Sequence, residues 1–389
     1  MSPKRITELI DDNETLASFC AQMSGSSYVT VDTEFIRDRT YWPRLCLVQV
    51  ANHNLARAID PLAQGLDMAP LAALLANPKV IKVFHAARQD VEIFVNQNAA
   101  VPTPMFDTQI AAMVCGFGDS VGYDRLVEKL AGARIDKGSR FTDWSRRPLS
   151  GKQIGYALND VTYLLQVYEA LCGQLEESNR AQWLEEEMGV LTSVTTYDQF
   201  PEEAWRRLKL RSRNASYLGV AKEVAAWRER EAQRRDMPRG HILKDEAIQE
   251  LAAEMPGSVE NLSRLRAVSK GLAEGPAGPE LLAAISRGRD LPRDEVPQPV
   301  AQVVLPRGLG PLISLLKVLL KTKCEAHDVA QKLVATVSDL ERIAADDHAD
   351  VAALRGWRKE IFGDDALDLK HGRLSMTAKG KRVELIRST

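Results

Sequence analysis

The chain has 389 residues, 45% hydrophobic and 27% charged, with a formal net charge of −2. That length exceeds one typical domain and predicts two to four, and the composition is that of a globular protein. No apolar run nears the ~18 residues a membrane helix needs, and the N-terminus carries Glu8, Asp11 and Asp12 rather than the basic and apolar blocks of a signal peptide, so a cytoplasmic protein is expected. The charge is unevenly spread. Residues 1–197 hold 18 Lys and Arg against 24 Asp and Glu, which leaves 33 of the 51 basic and 29 of the 53 acidic residues to the remainder. An acidic part before a basic part predicts cation chemistry in the first and polyanion contact in the second. The five cysteines are scattered, without a Cys-x-x-Cys pair, and read as reduced thiols rather than a zinc site or disulfide frame.

Taken in order, Tyr28–Asp32, Arg44–Val50 and Asn54–Ile59 are rich in Val, Leu and Ile and separated by polar turns, which predicts a strand meander. A short helix is expected over Leu71–Leu75, a buried strand over Val80–Phe84, and a helix from His85 through Val95. Strand followed by helix points to a mixed sheet with helices on its faces. Asp107–Gly116 and Tyr123–Gly132 are two further predicted helices, each closed by glycine. Ser150 and Gln153 have capping-box spacing and open a long helix to about Glu177. Gly155 within it costs about 1 kcal/mol relative to Ala, a cost that close packing would offset. After a passage near Thr195–Glu203 the pattern is helical, and between Trp205 and Arg239 eleven Lys or Arg face four acids. Prolines 276, 279, 292, 297, 299 and 306 mark a loop and linker, and a last helical block is expected from Leu309 to Ile386.

Chemistry concentrates in five residues. Asp32 and Glu34 stand two apart on a predicted strand, so they share a face, and like charges that close call for a cation or proton. Asp90 lies in the first turns of a predicted helix, and Tyr156 and Asp160 share a helix face at i and i+4. If these elements converge, the site has only oxygen donors and suits Mg²⁺ or Mn²⁺. Two such ions would activate water and stabilise both oxygens of an in-line phosphoryl displacement.

These residues resemble a known family. Val31-Asp32-Thr33-Glu34-Phe35, His85 through Asp90, and Tyr156 through Asp160 are similar to the three exonuclease motifs of the DEDD superfamily, in its tyrosine subgroup, and within it to the ribonuclease D family. Asp107-Thr108-Gln109 and Asp143 through Ser150 extend the likeness, which covers about residues 5–180. The resemblance implies an α/β ribonuclease-H-like exonuclease domain over 1–197, hydrolysing RNA 3′→5′ with release of nucleoside 5′-monophosphates. It implies Asp32, Glu34, Asp90 and Asp160 as ligands of two divalent cations, Mg²⁺ or Mn²⁺, with Asp32 bridging and Tyr156 orienting the attacking water. Arg235 through Asp245 resembles the helicase-and-RNase-D C-terminal (HRDC) domain, so two all-α helical-bundle modules are expected, over 198–290 and, more divergent, over 291–389. Precursors of tRNA and other small structured RNAs are the implied partners. Residues 1–197 are expected to act alone on unstructured tails.

Two further groups are candidates for binding. Before the long helix, Lys137, Arg146 and Arg147 could hold phosphates while Trp144 stacks on a base; the competing arrangement buries Trp144 and leaves the cations solvated. In the basic segment, Trp205, Tyr217 and Trp227 either join a polyanion surface or fill the core. No Gly-x-x-x-x-Gly-Lys-Ser/Thr loop exists, which argues against ATP, and no Gly-x-Ser-x-Gly elbow marks a serine hydrolase. A DNA exonuclease, or a nucleic-acid adaptor with an inert nuclease domain, are the competing functions.

Overall fold

The structure is a computed structural model of the chain and describes residues 3–97, 100–136, 138–298 and 306–388. Six strands form one mixed sheet in the order β1-β4-β3-β2-β5-β6. They are β1 (Lys4–Arg5), β2 (Tyr28–Ile36), β3 (Arg44–Ala51), β4 (Leu55–Ile59), β5 (Ile81–Phe84) and β6 (Met105–Asp107). The meander β2-β3-β4 supplies neighbouring strands, with β3 and β4 antiparallel; β5 then runs parallel to β2, and β6 parallel to β5. Strand β2 is therefore interior, and Val29, Thr30 and Val31 are buried on both of its faces.

The helices of this part are α1 (Asn13–Met23), α2 (Ala69–Leu75), α3 (Arg88–Asn96), α4 (Thr108–Val114), α5 (Tyr123–Leu126, continued as a wider turn to Ala131), α6 (Gly151–Glu177) and α7 (Glu185–Thr192). Helix α6 opens on the expected capping box, both hydrogen bonds of Ser150 and Gln153 being present. An added Cβ at Gly155 would meet nothing within 4 Å, so no close packing offsets that glycine. Helix α1 is an unforeseen element, although its buried Leu16, Phe19, Cys20 and Met23 follow the i, i+3, i+4, i+7 pattern. Strands β1 and β6 have two and three residues, too few for periodicity to register.

The chain divides into two compact units. One joins Met1–Glu34 and Cys46–Thr196 with Val303–Thr389; the other joins Phe35–Leu45 with Tyr197–Gln302. The second unit is helical: α8 (Ala215–Arg235), α9 (Arg239–Ile242), α10 (Asp245–Glu254), α11 (Val259–Ser263), α12 (Lys270–Glu274) and α13 (Ala277–Arg289). Tyr217 and Trp227 are core residues here, each about nineteen-twentieths buried. Gly219 of α8 and Gly288 of α13 let these two helices approach closely, since a Cβ on Gly219 would lie 2.1 Å from the Gly288 carbonyl oxygen. Around the fully buried carboxylate of Glu229, Arg239 donates twice, at 2.5 and 2.6 Å, Tyr41 once at 2.5 Å and Arg207 once at 3.0 Å. Burial pushes this carboxyl up, but the bonds and charges of Arg239, Tyr41 and Arg207 outweigh it and hold it below the ordinary carboxylate value. The support it lends is therefore full above the unfolded value and fades as pH falls through the lower folded one. Glu229→Ala takes the buried carboxylate away from the half-buried Arg239 and from the Tyr41 hydroxyl and should cost about 3 kcal/mol, read as an earlier unfolding transition of this unit in urea.

The last block holds α14 (Gly310–Ala326), α15 (Gln331–Val334), α16 (Val337–Ala345), α17 (Gly356–Arg358) and α18 (Asp364–Lys370). It is not all-α as expected. Strands β7 (Leu374–Lys379) and β8 (Arg382–Arg387) close it as an antiparallel hairpin. The two-residue turn places Gly380 at φ 62°, which fits the primed turns that hairpins favour; Leu374 and Met376 in β7 and Val383 and Leu385 in β8 show the two-residue period of strands, which the helical expectation passed over. Nor does the block stand alone. Leu316, Leu319 and Leu320 of α14 and Phe362 share one core with Val167, Leu171 and Leu175 of α6. Arg358, 3% exposed, donates to the Leu333 carbonyl at 2.6 Å, to Glu187 at 2.7 Å and to Glu186. Among the described residues no helix is long and apolar enough to cross a membrane.

Candidate active site

The pleat of β2 puts Asp32 and Glu34 on one face. Asp90 arrives through the turn between β5 and α3, where Ala86 takes the left-handed conformation, φ 59°. Asp107, at the start of α4, holds that turn: its carboxylate accepts from the Ala86 and Ala87 amides at 3.0 and 2.8 Å while also capping Gln109 at 2.7 Å. The middle of α6 is held against the sheet. The Thr30 hydroxyl donates to the Val161 carbonyl at 2.8 Å, and Arg5 of β1 donates to Asn159 and Thr162 at 2.7 and 2.8 Å. Tyr123 adds a bond from its hydroxyl to the Asp160 carbonyl at 2.6 Å.

These supports bring carboxylate oxygens of Asp32, Glu34 and Asp160 within 4.8 Å of one another. Asp90 is buried, 7% exposed, and accepts a short hydrogen bond from the Thr33 hydroxyl. Among the described residues none of the four acids is ion-paired with Lys, Arg or His. Two unit charges at about 4 Å repel by about 4 kcal/mol at an effective dielectric of 20. Burial first, and then the charge of Asp160, pushes Asp32 well above the usual carboxylate range; burial and the charges of Asp32, Asp160 and Asp90 push Glu34 up to about 10. Burial and the charge of Asp32 raise Asp90, and burial raises Asp160 to about 7 against a hydrogen bond from Tyr156. The phenol of Tyr156 is itself raised by burial and by Asp160, so it keeps its proton at neutral pH and can donate a hydrogen bond. A crowded, oxygen-only, unpaired acid cluster fits hard divalent cations, which would replace the protons these acids otherwise hold.

The flanking candidates fare differently. Trp144 is 2% exposed, its ring 6.2 Å from that of Tyr156, so it cannot offer a face to a base: it is a core residue. Arg147 spends all five N–H donors inside the protein, on Asp60 twice and on the Cys46, Trp144 and Arg146 carbonyls, and has none left for a phosphate. Arg146 is exposed. Lys137 lies outside the described residues. Thr33, Asp107 and Tyr123 are supports that spacing alone does not single out, because each acts through a long-range hydrogen bond. The basic segment is largely neutralised: Arg206, Arg207, Arg228, Arg230, Arg234, Arg235 and Arg239 are paired with Glu203, Glu229, Asp245, Glu202 and Glu231. Three of those acids lie outside the stretch in which the cations cluster.

Comparison with known proteins agrees with this geometry. Residues 7–176 match the family described as a 3′-5′ exonuclease, and residues 218–285 match the HRDC domain. Ribonuclease D of Acidiphilium cryptum is 50% identical over 97% of this chain and 96% of its own. The Granulibacter bethesdensis ribonuclease D is 51% identical over the same shares. The crystal structure of Escherichia coli RNase D, described as an exoribonuclease involved in structured RNA processing, superposes with a TM-score of 0.79 at 30% identity, covering 96% of this chain and 99% of that one. With its mixed-sheet exonuclease fold, its acid cluster and this likeness along nearly the whole length, the chain belongs to the ribonuclease D family of 3′-5′ exoribonucleases.

Proposed function

We propose that this chain removes single nucleotides from the 3′ ends of cytoplasmic tRNA precursors and other small structured RNAs. Asp32, Glu34, Asp90 and Asp160 would hold two divalent cations, Mg²⁺ or Mn²⁺. When bound, such cations supply an activated water and stabilise the oxygens that gain charge at phosphorus. The water oxygen joins the terminal phosphorus, the 3′ oxygen of the shortened RNA departs, and a nucleoside 5′-monophosphate is released. Asp160 takes the Tyr156 hydrogen bond and so fixes the phenol, which orients the water. The observation that carries this reading is the approach of three acids from β2 and α6 within 4.8 Å, with Tyr156 bonded to one of them.

Substrate grip belongs to the helical modules and to the exposed Arg146, with Lys137 alongside by sequence. In the second unit the extended stretch from Leu208 to Asn214 alternates: Leu208 is buried, Leu210 and Ser212 are half-buried, and Lys209, Arg211 and Arg213 are exposed. Among the described residues these three carry no ion pair, and they supply a row of cations for phosphates. The last block reads as a second, diverged HRDC-like module. Asp236 after α8 and Asp328 after α14 both take left-handed backbone, φ 48° and 45°; from each, the next helix begins three residues on and the following one nine residues on.

Matched RNA and DNA with unpaired 3′ tails, incubated with Mg²⁺ or Mn²⁺ and with EDTA, test the proposal. Single-nucleotide shortening of the RNA, stopped by EDTA, is expected. Internal cuts, indifference to EDTA, or digestion confined to DNA would each overturn it, and binding without hydrolysis would leave an adaptor.

A further inference from the structure

The stacking surface expected at Trp144 is absent there, but a different aromatic residue on the same loop is available. Phe141 is 90% exposed, more than any other large apolar side chain described, the next being Phe200 at 58%. A phenylalanine left in water forgoes the stabilisation that burying its ring would supply. Single exposed apolar residues are common, so position decides. On one side of Phe141 in the chain, Arg140 sets its guanidinium carbon 5.3 Å from the Phe141 ring centroid, and its charge is felt at Glu34 and Asp160. On the other side, the Thr142 hydroxyl donates to the Ser139 carbonyl at 2.7 Å and accepts from the Gln153 amide at 3.1 Å, which ties the loop to the first turn of α6, one turn before Tyr156. Trp144, packed toward Tyr156, anchors the rest of the loop.

We propose that Phe141, backed by Arg140, is the platform on which the unpaired base at the 3′ end of an RNA stacks while its phosphate lies at the acid cluster. This deepens the reading of the site given under Proposed function and rests on it. A guanidinium over one part of the ring limits its motion and leaves apolar face for a base. Every base has a π-face, so the contact tolerates any 3′-terminal nucleotide, as an enzyme that shortens RNA stepwise requires. The positive charge of Arg140 offsets the repulsion between these acids and the phosphate.

Release of the first nucleotide is followed in Mg²⁺ with the full chain and two RNAs, one ending in an ordinary nucleotide and one in an abasic nucleotide. Wild-type protein should lose about tenfold in kcat/KM on the abasic RNA, carried by KM. Phe141→Ala should show that same loss on ordinary RNA and no further loss on the abasic one, and Phe141→Trp should restore discrimination. At 90% exposure Phe141 contributes little to the fold, so the variant remains testable. Equal penalties on both RNAs, or none on either, overturn the platform while leaving the nuclease reading intact. A wild-type protein inert toward both RNAs overturns the nuclease reading and the platform with it.

Discussion

Asp160→Asn is expected to lower RNA hydrolysis by about a thousandfold or more, about 4 kcal/mol of barrier. The substitution keeps the shape of the side chain and an oxygen that can accept from Tyr156, so the middle of α6 stays pinned through the Thr30–Val161 and Tyr123–Asp160 main-chain bonds. What it removes is one of three carboxylates crowded within 4.8 Å. In the absence of cations that loss relieves repulsion, so the melting temperature of the variant should equal or exceed that of the wild type. RNA binding should stay measurable, because the cations of the 208–214 stretch are untouched. Single-turnover cleavage, thermal melting and filter binding read the three effects separately. Turnover near the wild-type rate would remove Asp160 from the ligand set.

Truncation after Asp198 should yield an unstable or aggregating protein, contrary to the expectation that residues 1–197 act alone. The cut removes Leu316, Leu319, Leu320 and Phe362 from the core they share with Val167, Leu171 and Leu175. Each side chain so exposed forfeits about 1.5–3 kcal/mol, and several together reach the about 5–15 kcal/mol by which whole domains are stable. Glu186 and Glu187 also lose Arg358. Circular dichroism melting and size-exclusion chromatography of the fragment check this; a monomer melting as the full chain does would refute it. A chain that keeps the last block but lacks residues 198–302, bridged by a flexible linker, should melt higher than the truncated fragment.

The approach of Asp32, Glu34 and Asp160, with Tyr156 beside Asp160, was legible in the sequence because its geometry is local. Asp32 and Glu34 need only the two-residue period of a strand, Tyr156 and Asp160 only the helical turn, and the capping box at Ser150 sets where that helix starts. The strand meander and the mixed sheet followed from runs of β-branched residues for the same reason. Tertiary structure decided what depends on distant partners. It spent Arg147 on Asp60 and on carbonyls up to 101 residues away, buried Trp144 and left Phe141 in water. It paired most of the basic segment with acids, several from outside that stretch, and it merged the last block into the exonuclease core. A side chain's local pattern states which face it shares and with which neighbours. Whether that face meets solvent, an opposite charge or a hydrophobic layer is determined by residues beyond the local repeat, from the 17 positions between Arg228 and Asp245 to the 101 between Arg147 and Cys46, and those contacts have no period for a sequence to display.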